Sequence, residues 1–267
     1  MVNIAVAGAG GRMGVRITAL SKEYSGLRLV GALEKKGHKD IGRDVGVVVG
    51  VGEIGVKLTD SISASIADAD VIIDFTSPQV TMEHIRIASD KGKAMVIGTT
   101  GLSKEDMAEL KEHSRKIPCV VASNMSLGVN LLLKVLKDVA RTLGDEYDIE
   151  IIEAHHRLKK DSPSGTALRM AEAIAEAMGR NLDEVLVYTR KGLIGERTKK
   201  EIGIQVIRAG DIVGEHTVIF GGLGERIELT HRASSRDTFA RGALRASLWL
   251  NGKPPGLYDM QDVLGLK

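Results

Sequence analysis

Cysteine is almost absent from this sequence of 267 residues, since Cys119 is the only one and no disulfide can form within the chain. Aromatic residues make up 3%, so the core must be built from Val, Ile, Leu, Ala and Met. No apolar run approaches the roughly 20 residues that span a bilayer, and the first residues lack the basic region of a signal peptide. We therefore expect a cytoplasmic protein without a membrane partner.

A strong charge of either sign is also missing, because 37 Lys and Arg balance 35 Asp and Glu to give a net charge of +2. This balance excludes a general basic field, and no nucleic-acid partner is expected. Hydrophobic residues at 43% and charged residues at 27% are ordinary for a globular protein. The length suits one large domain or two modest ones.

Short apolar runs alternate with helical patterns in the first half of the chain. The runs Leu27–Leu33, Val71–Asp74 and Ala94–Ile97 indicate strands, whereas Pro78–Lys91 and Ser103–Lys116 indicate helices. Strands that are buried on both faces and alternate with helices predict a parallel, doubly wound sheet of the Rossmann type.

The second half is rich in strand-like runs that follow one long predicted helix, Leu127–Leu143. These runs lie at 147–156, 185–190, 202–208, 214–220 and 225–231. Such closely spaced strands predict a central α+β domain with an open mixed or antiparallel sheet. Asp237–Leu250 is again helical. The predicted fold class is therefore α/β, with an N-terminal Rossmann-type parallel sheet and a central α+β domain that has an open mixed sheet.

A glycine-rich turn follows the first strand and opens the first helix. Gly8, Gly11 and Gly14 form a G-x-x-G-x-x-G variant, with Gly10 as an extra glycine. Such a turn lets the main chain contact a pyrophosphate at a helix N-terminus. Glu34 ends the second strand about 20 residues after Gly14, where a carboxylate can accept hydrogen bonds from ribose hydroxyls. The sequence favours a dinucleotide site over a simple strand–turn–helix with a surface glutamate.

The residues after Glu34 leave the choice of nicotinamide cofactor open. The acid favours NADH because it would repel a 2′-phosphate, whereas Lys35 and Lys36 could hold that phosphate. The two lysines are equally well explained as a solvated surface pair. We expect NADH, NADPH or both as the cofactor.

Two more strand ends carry small polar residues. Gly98–Gly101 closes one predicted strand and Ala122–Met125 closes the next. Ligands of open α/β sheets bind outside the carboxyl ends of the strands, so both segments are candidates for the nicotinamide half of the site. Ordinary turns are the alternative, since Gly, Ser, Thr and Asn are common turn residues.

A dense polar segment, Glu153–Thr166, ends a strand and starts a helix. Its histidines can exchange protons near neutral pH, and its cations suit a dianionic substrate. The helix start after Ser164 offers unpaired N–H groups to a carboxylate. A metal site is disfavoured because His155 and His156, adjacent on a strand, face opposite sides unless the chain turns there, and because no cysteine lies nearby and no spaced His pair sits on a helix. A solvated basic loop remains the alternative.

Motifs along nearly the whole chain resemble the 4-hydroxy-tetrahydrodipicolinate reductase family, also called dihydrodipicolinate reductases. The matching stretches are VAGAGGRMG (6–14), DFTSP (74–78), GTTG (98–101), ASNMSLGVN (122–130), EAHHRLKKDSPSGTAL (153–168), RAGDIVGEHTV (208–218) and HRASSRDTFARGAL (231–244). The joint match is specific, although no single motif would be. One departure is Lys35, where the family often has an arginine, and a lysine binds a phosphate as a point charge rather than as a fork.

The resemblance implies a dinucleotide-binding domain at 1–126, completed by 237–267, and a substrate-binding and oligomerisation domain at 127–236 of a homotetramer. It implies NAD(P)H-dependent reduction of a small cyclic dicarboxylate imine, 4-hydroxy-tetrahydrodipicolinate, with loss of water, in diaminopimelate and lysine biosynthesis. His155 would be the acid/base residue, Lys159 the proton donor, and His156, Gly165 and Thr166 substrate ligands. The residues implied at the cofactor are Gly8, Ala9, Gly10, Gly11, Arg12, Met13, Glu34, Lys35, Gly98, Thr99, Thr100, Ala122, Ser123, Asn124 and Met125. No metal ligand is implied.

Two other functions share parts of this pattern. Another nicotinamide enzyme, such as an amino-acid or sugar dehydrogenase, would have the same glycine turn but does not explain HHRLKK followed by SPSGT. A non-catalytic redox sensor would bind NADH without turnover, and the sequence has no helix-turn-helix signal that favours it. The sequence thus favours the reductase.

Overall fold

The structure is a computed structural model that describes all 267 residues. The chain forms two compact units, one of Met1–Leu127 with Arg236–Lys267 and one of Gly128–Ser235. No helix combines the length and apolar character needed to cross a membrane.

The N-terminal half of the chain contains six strands and five helices. Their bounds are β1 Val2–Ala7, α1 Arg12–Ser21, β2 Leu27–Leu33, α2 Val45–Val49, β3 Leu58–Thr59, α3 Ile62–Ser65, β4 Val71–Asp74, α4 Pro78–Asp90, β5 Ala94–Ile97, α5 Lys104–His113 and β6 Pro118–Val121. The remaining bounds are α6 Leu127–Leu143, β7 Asp148–His155, α7 Gly165–Ala177, α8 Leu182–Val185, β8 Leu186–Val187, β9 Ile202–Arg208, β10 Gly214–Gly221, β11 Arg226–Ala233, α9 Asp237–Leu250, β12 Gly256–Tyr258 and α10 Met260–Leu264.

The first unit is built on a seven-stranded sheet in the order β12-β6-β5-β4-β1-β2-β3, and all its strand pairs are parallel. The order reverses between β1 and β4, which is the switch point of a Rossmann-type sheet. Alternate residues of the central strands serve two cores, since Ile73 packs in one cluster and Ile72 in another. Burial on both faces explains the continuous apolar runs. The predicted Rossmann-type sheet is confirmed.

Helix α9 returns to this unit from the far end of the sequence. Its first residue, Asp237, accepts two hydrogen bonds from the Arg16 guanidinium on α1, at 2.6 and 2.7 Å. Gly242 lies so close to the strand-end loop that a Cβ there would collide with the carbonyl oxygen of Met125. Only glycine permits this approach, so α9 fixes the backbone at Met125.

The second unit contains a five-stranded sheet in the order β11-β10-β7-β9-β8. The β10–β11 and β10–β7 pairs are antiparallel, whereas β7–β9 and β8–β9 are parallel. Residues Ile149, Ile151 and Phe220 of this sheet belong to the same hydrophobic core as Met170 and Ile174 of α7. The predicted open mixed sheet is confirmed.

Short elements were missed or misplaced by the sequence prediction. The strand expected near 185–190 consists of two residues only, β8, and the four-residue helix α8 precedes it. The short elements α2, β3 and α3 between residues 34 and 66, and β12 and α10 near the C-terminus, were not predicted from the sequence. Elements of two to five residues are too short to show a periodicity.

Candidate active site

The glycine turn after β1 has the geometry of a phosphate cradle. Gly8 has φ +68, which only glycine adopts readily, and its carbonyl oxygen accepts a hydrogen bond from the Gly11 N–H at 2.9 Å. A Cβ at Gly14 would collide with that same oxygen. Helix α1 starts at Arg12 without a side-chain cap. Its free N–H groups and its dipole therefore fit an anionic pyrophosphate.

Glu34 directly follows β2, and its side chain contacts this turn. Its Oε2 accepts a hydrogen bond from the Gly10 N–H at 3.1 Å, and its Oε1 accepts one from the Lys35 N–H at 3.0 Å. The side chain is partly exposed, and Lys35 and Lys36 beside it are exposed. A carboxylate at this place retains free lone pairs for ribose hydroxyls. The turn and the acid together fit the adenosine half of a dinucleotide.

Thr76 lies at the switch point and was not among the predicted site residues. A Cβ at Gly8 would stand 3.2 Å from the Thr76 methyl group, so these two residues line the gap between β1 and β4. The signal was present in the sequence, because Phe75 and Thr76 directly follow the buried strand β4 in the DFTSP motif. Residues at a switch point are placed to contact the ligand.

A buried carboxylate, Asp74, organises the strand ends beside that gap. Its Oδ1 accepts hydrogen bonds from the Thr76 N–H at 2.9 Å, from the Thr76 hydroxyl at 2.6 Å and from the Thr99 hydroxyl at 3.3 Å. Its Oδ2 lies 2.6 Å from Nδ1 of the buried His84. Burial raises the pKa of Asp74, but the bonds from His84 and Thr76 outweigh it and hold this pKa below its usual range.

The predicted segment Ala122–Met125 follows β6 and is fixed from several directions. The Ala122 N–H donates to the carbonyl oxygen of Ile97 at 3.0 Å, and the Asn124 side-chain oxygen accepts from the Ser126 N–H at 2.9 Å. All predicted cofactor residues therefore lie in one unit, at the carboxyl ends of β1, β2, β5 and β6. Their individual contacts to a cofactor stay predictions.

His155 ends β7 in the second unit, and its ring is held by a buried carboxylate. Nδ1 of His155 lies 2.6 Å from Oε2 of Glu153, which is fully buried. Oε1 of Glu153 accepts a hydrogen bond from the Ser164 N–H at 2.9 Å, and the Arg208 guanidinium donates to both oxygens at 2.8 and 2.9 Å. Burial raises the pKa of Glu153, but these three partners outweigh it and lower this pKa to about 2.

The ionised Glu153 fixes the tautomer of His155. A carboxylate only accepts hydrogen bonds, so Nδ1 of His155 carries the proton and Nε2 is left to exchange one with a ligand. A Cβ at Gly214 would stand 3.1 Å from this Nε2, and glycine therefore keeps that space clear.

A second buried histidine, His216, packs against the first. Its ring lies edge-on to His155 with 5.2 Å between centroids, and its Nε2 lies 3.0 Å from the Ser164 hydroxyl. Burial and the nearby His155 lower the pKa of His216 to about 4, so His216 is neutral at pH 7. Neither His216 nor Glu153 nor Arg208 was among the predicted site residues.

The predicted substrate residues lie in the loop that follows β7 and at the start of α7. Nζ of Lys159 donates to both carboxylate oxygens of Asp161 at 2.9 and 2.8 Å. His156 follows His155 directly, and its carbonyl oxygen accepts a hydrogen bond from the Lys159 N–H at 3.1 Å. Gly165 is exposed and Thr166 is half-buried. Substrate roles for these residues stay predictions.

Family models match the two halves of the chain in turn. One described as dihydrodipicolinate reductase, N-terminus, matches residues 2–125, and one described as dihydrodipicolinate reductase, C-terminus, matches residues 128–264. The chain belongs to the dihydrodipicolinate reductase family. The N-terminal half of the chain is therefore its NAD(P)-binding domain, and the chain is an NAD(P)H-dependent oxidoreductase.

Full-length relatives agree with this family. The 4-hydroxy-tetrahydrodipicolinate reductases of Syntrophus aciditrophicus and Geobacter sulfurreducens are 57% and 55% identical to the chain over 267 residues, with all of both chains covered. A dipicolinate-bound dihydrodipicolinate reductase from Paenisporosarcina sp. TG-14 has the same fold, with a TM-score of 0.74 at 24% identity over 98% of each chain. GenD2 from gentamicin A biosynthesis, solved in complex with NAD, shares the fold more distantly, with a TM-score of 0.61 at 13% identity over 99% of this chain and 90% of its own.

Proposed function

We propose that this chain reduces 4-hydroxy-tetrahydrodipicolinate to tetrahydrodipicolinate, with loss of water, as a step of diaminopimelate and lysine biosynthesis. The observation that carries the proposal is the His155–Glu153 pair, with a 2.6 Å contact, together with the bond that the Ser164 N–H at the start of α7 donates to the same Glu153. This cluster lies in the half of the chain that matches the C-terminal model of the reductase family.

Different residues of the chain bind the substrate and transfer protons in this reaction. Nicotinamide, when bound, supplies the hydride. His156 and the N–H groups at Gly165 and Thr166 bind the substrate carboxylates, because an imidazole N–H and a helix N-terminus both donate to anions. His155 exchanges a proton through Nε2, and Lys159 donates the proton that the ring takes up.

The cofactor residues support use of both nicotinamide cofactors. Glu34 has lone pairs for the ribose hydroxyls of NADH, whereas the exposed Lys35 and Lys36 provide charge for the 2′-phosphate of NADPH. Lysine binds a phosphate without the fixed fork of arginine, so the preference between the two cofactors is small.

The assembly and location of the enzyme are also part of the proposal. We place it in the cytoplasm as a homotetramer that is built through residues 127–236. The buried, lone Cys119 fits a reducing compartment. Light scattering at working concentration tests the assembly, and a mass other than four times the chain mass argues against the tetramer.

An assay on enzymatically generated substrate tests the activity. Aspartate semialdehyde and pyruvate are condensed by a synthase, and oxidation of NADH or NADPH is followed after this chain is added. We expect oxidation that depends on both precursors, with each cofactor. Tight binding of NADH without any turnover would support a redox sensor instead.

A further inference from the structure

Glu153 receives more hydrogen bonds than a support for one histidine needs. It accepts from His155 and from the Ser164 N–H, and it accepts twice from Arg208. Ser164 is also the residue that caps α7, since its hydroxyl accepts from the Ala167 N–H at 3.2 Å. One buried carboxylate thus joins the acid/base histidine to the helix start at which a substrate carboxylate docks.

Arg208 extends this connection to the cationic loop. Besides its fork to Glu153, its Nη2 donates to the carbonyl oxygen of Asp161 at 2.8 Å. Asp161 is the residue whose carboxylate pairs with Lys159. Arginine is suited to this task, because its planar fork binds both carboxylate oxygens and keeps further donors for the loop.

We infer that Glu153, clamped by Arg208, is a positioning residue that fixes His155 and the first turn of α7 in one arrangement. The inference rests on the proposed function, since it assigns no new reaction to the chain. The distance between the proton-transferring ring of His155 and the carboxylate-binding start of α7 is then fixed. The reason is that His155 and the Ser164 N–H are each bonded to one oxygen of the Glu153 carboxylate. Reacting groups that are misplaced by about 1 Å lose roughly 100-fold in rate.

Glu153→Gln tests the inference, because an amide cannot satisfy this environment. The wild-type carboxylate accepts from four donors, whereas glutamine has one oxygen and a nitrogen that donates. Its NH₂ group must therefore face another donor. The change that removes this donor–donor contact with the least free-energy cost is a shift of the His155 proton from Nδ1 to Nε2. We expect kcat to fall by about 100-fold or more, with the Kd of NADH changed by less than about twofold.

Nitrogen-15 NMR of the neutral His155 ring is the readout that a merely structural role would not move. The His155 signal is assigned by its loss in His155→Ala. The wild type is expected to show the proton on Nδ1 alone, and Glu153→Gln is expected to lose that preference. An unchanged tautomer in Glu153→Gln, at any level of turnover, overturns the inference.

Arg208→Lys is the second variant, in case Glu153→Gln does not fold. Lysine keeps the charge and loses the fork, so we expect the tautomer to be retained, KM to rise by about tenfold and kcat to fall less than in Glu153→Gln. Unchanged KM and kcat would overturn the role of Arg208. A wild-type ring with its proton on Nε2 would overturn the role of Glu153 without any variant.

Glu150→Gln is the matched control. Glu150 lies on the same strand and accepts a two-pronged bond from Arg190 at 2.9 and 2.8 Å, but it makes no contact with His155. We expect an unchanged tautomer and kcat within about twofold of wild type. A fully active His155→Ala variant would refute the proposed role of His155 itself, whereas an inactive His155→Ala with an active Glu153→Gln refutes only the positioning role.

Discussion

His155 and Lys159 are held in different ways, and this difference sets what their removal does. His155 is buried and has a single ionised partner, whereas Lys159 sits in a loop beside Asp161, whose side chain is 62% exposed. Burial raises the pKa of Asp161, but the bond from Lys159, a backbone hydrogen bond and the charges of Lys159 and Arg208 together outweigh it and hold this pKa below its usual range. Because solvent screens an ion pair with so exposed a partner, little free energy holds Lys159 to Asp161, and the proposed role of proton donor is compatible with this pair.

We expect His155→Ala and Lys159→Ala each to lower kcat by about 10²- to 10⁴-fold, the usual range for loss of general acid–base catalysis. The Kd of NADH, measured by fluorescence titration, should stay within about twofold of wild type, because the predicted cofactor residues belong to the other unit. Near-normal turnover in both variants would remove this loop from the chemistry.

Glu34→Ala tests the nucleotide end at the scale of one side chain. Loss of the carboxylate removes acceptors for the ribose of NADH and also removes a repulsion of the 2′-phosphate of NADPH. We expect the Kd of NADH to rise by about tenfold, as for a lost charged hydrogen bond of about 1.4 kcal/mol, and the Kd of NADPH to change less. An equal effect on the two cofactors would argue against the ribose contact.

The proposed acid/base residue, His155, could be predicted from the sequence more easily than the residues that support it. His155 stands in a dense polar motif, but Arg208 meets Glu153 only through the pairing of β7 with β9, across 55 residues. One signal was available, because Ile149, Ile151 and Glu153 alternate on the buried face of β7. A carboxylate at an inward position of an apolar strand requires a partner.

Among the elements, α9 lies far along the chain from the strands and helices of the first unit that it completes. Its sequence predicted its bounds correctly, since its buried residues, which include Ala240, Leu244 and Ser247, recur at helical spacing. What the sequence did not reveal is how closely Gly242 approaches the loop after β6. That approach depends on packing between residues more than 100 positions apart in the chain.

Gly242→Ala tests this close approach through the sign of the change in the free energy of unfolding. Alanine inside a helix normally stabilises relative to glycine by about 0.5–1 kcal/mol. Here the added Cβ would meet the carbonyl oxygen of Met125, and we expect a loss of about 3 kcal/mol in the free energy of unfolding, the upper end for overpacking. Urea denaturation measures it, and a stabilised variant would contradict the packing described.

At the scale of the whole molecule, both predicted sheets and their classes followed from hydrophobic patterns and motif order. The short elements between residues 34 and 66 did not, because they depend on local caps such as Asp44, which accepts from the Gly46 N–H at 2.8 Å. The assembly of chains could not be derived from hydrophobic patterns, and it remains a proposal from the family.

The stability of the molecule should depend on the ionised Glu153 in acid. The pKa of this group is about 2 in the folded state, below its usual value of about 4.3 in an unfolded chain. Its contribution is therefore fully present above about pH 4.3 and is lost as pH falls toward about 2. We expect the Tm difference between wild type and Glu153→Gln to shrink over this window. A difference that stays constant with pH would contradict an ionised, buried Glu153.

Transfer of a labelled hydride tests the central claim most directly. The reaction replaces the hydroxyl group at ring carbon 4 of the substrate by hydrogen, so the hydride must arrive at that carbon. With NADH that carries deuterium at the transferred position, we predict tetrahydrodipicolinate with one deuterium at carbon 4, seen by mass spectrometry and NMR. A product without the label, or no product while NADH is bound, would contradict the assignment of this chain as the reductase.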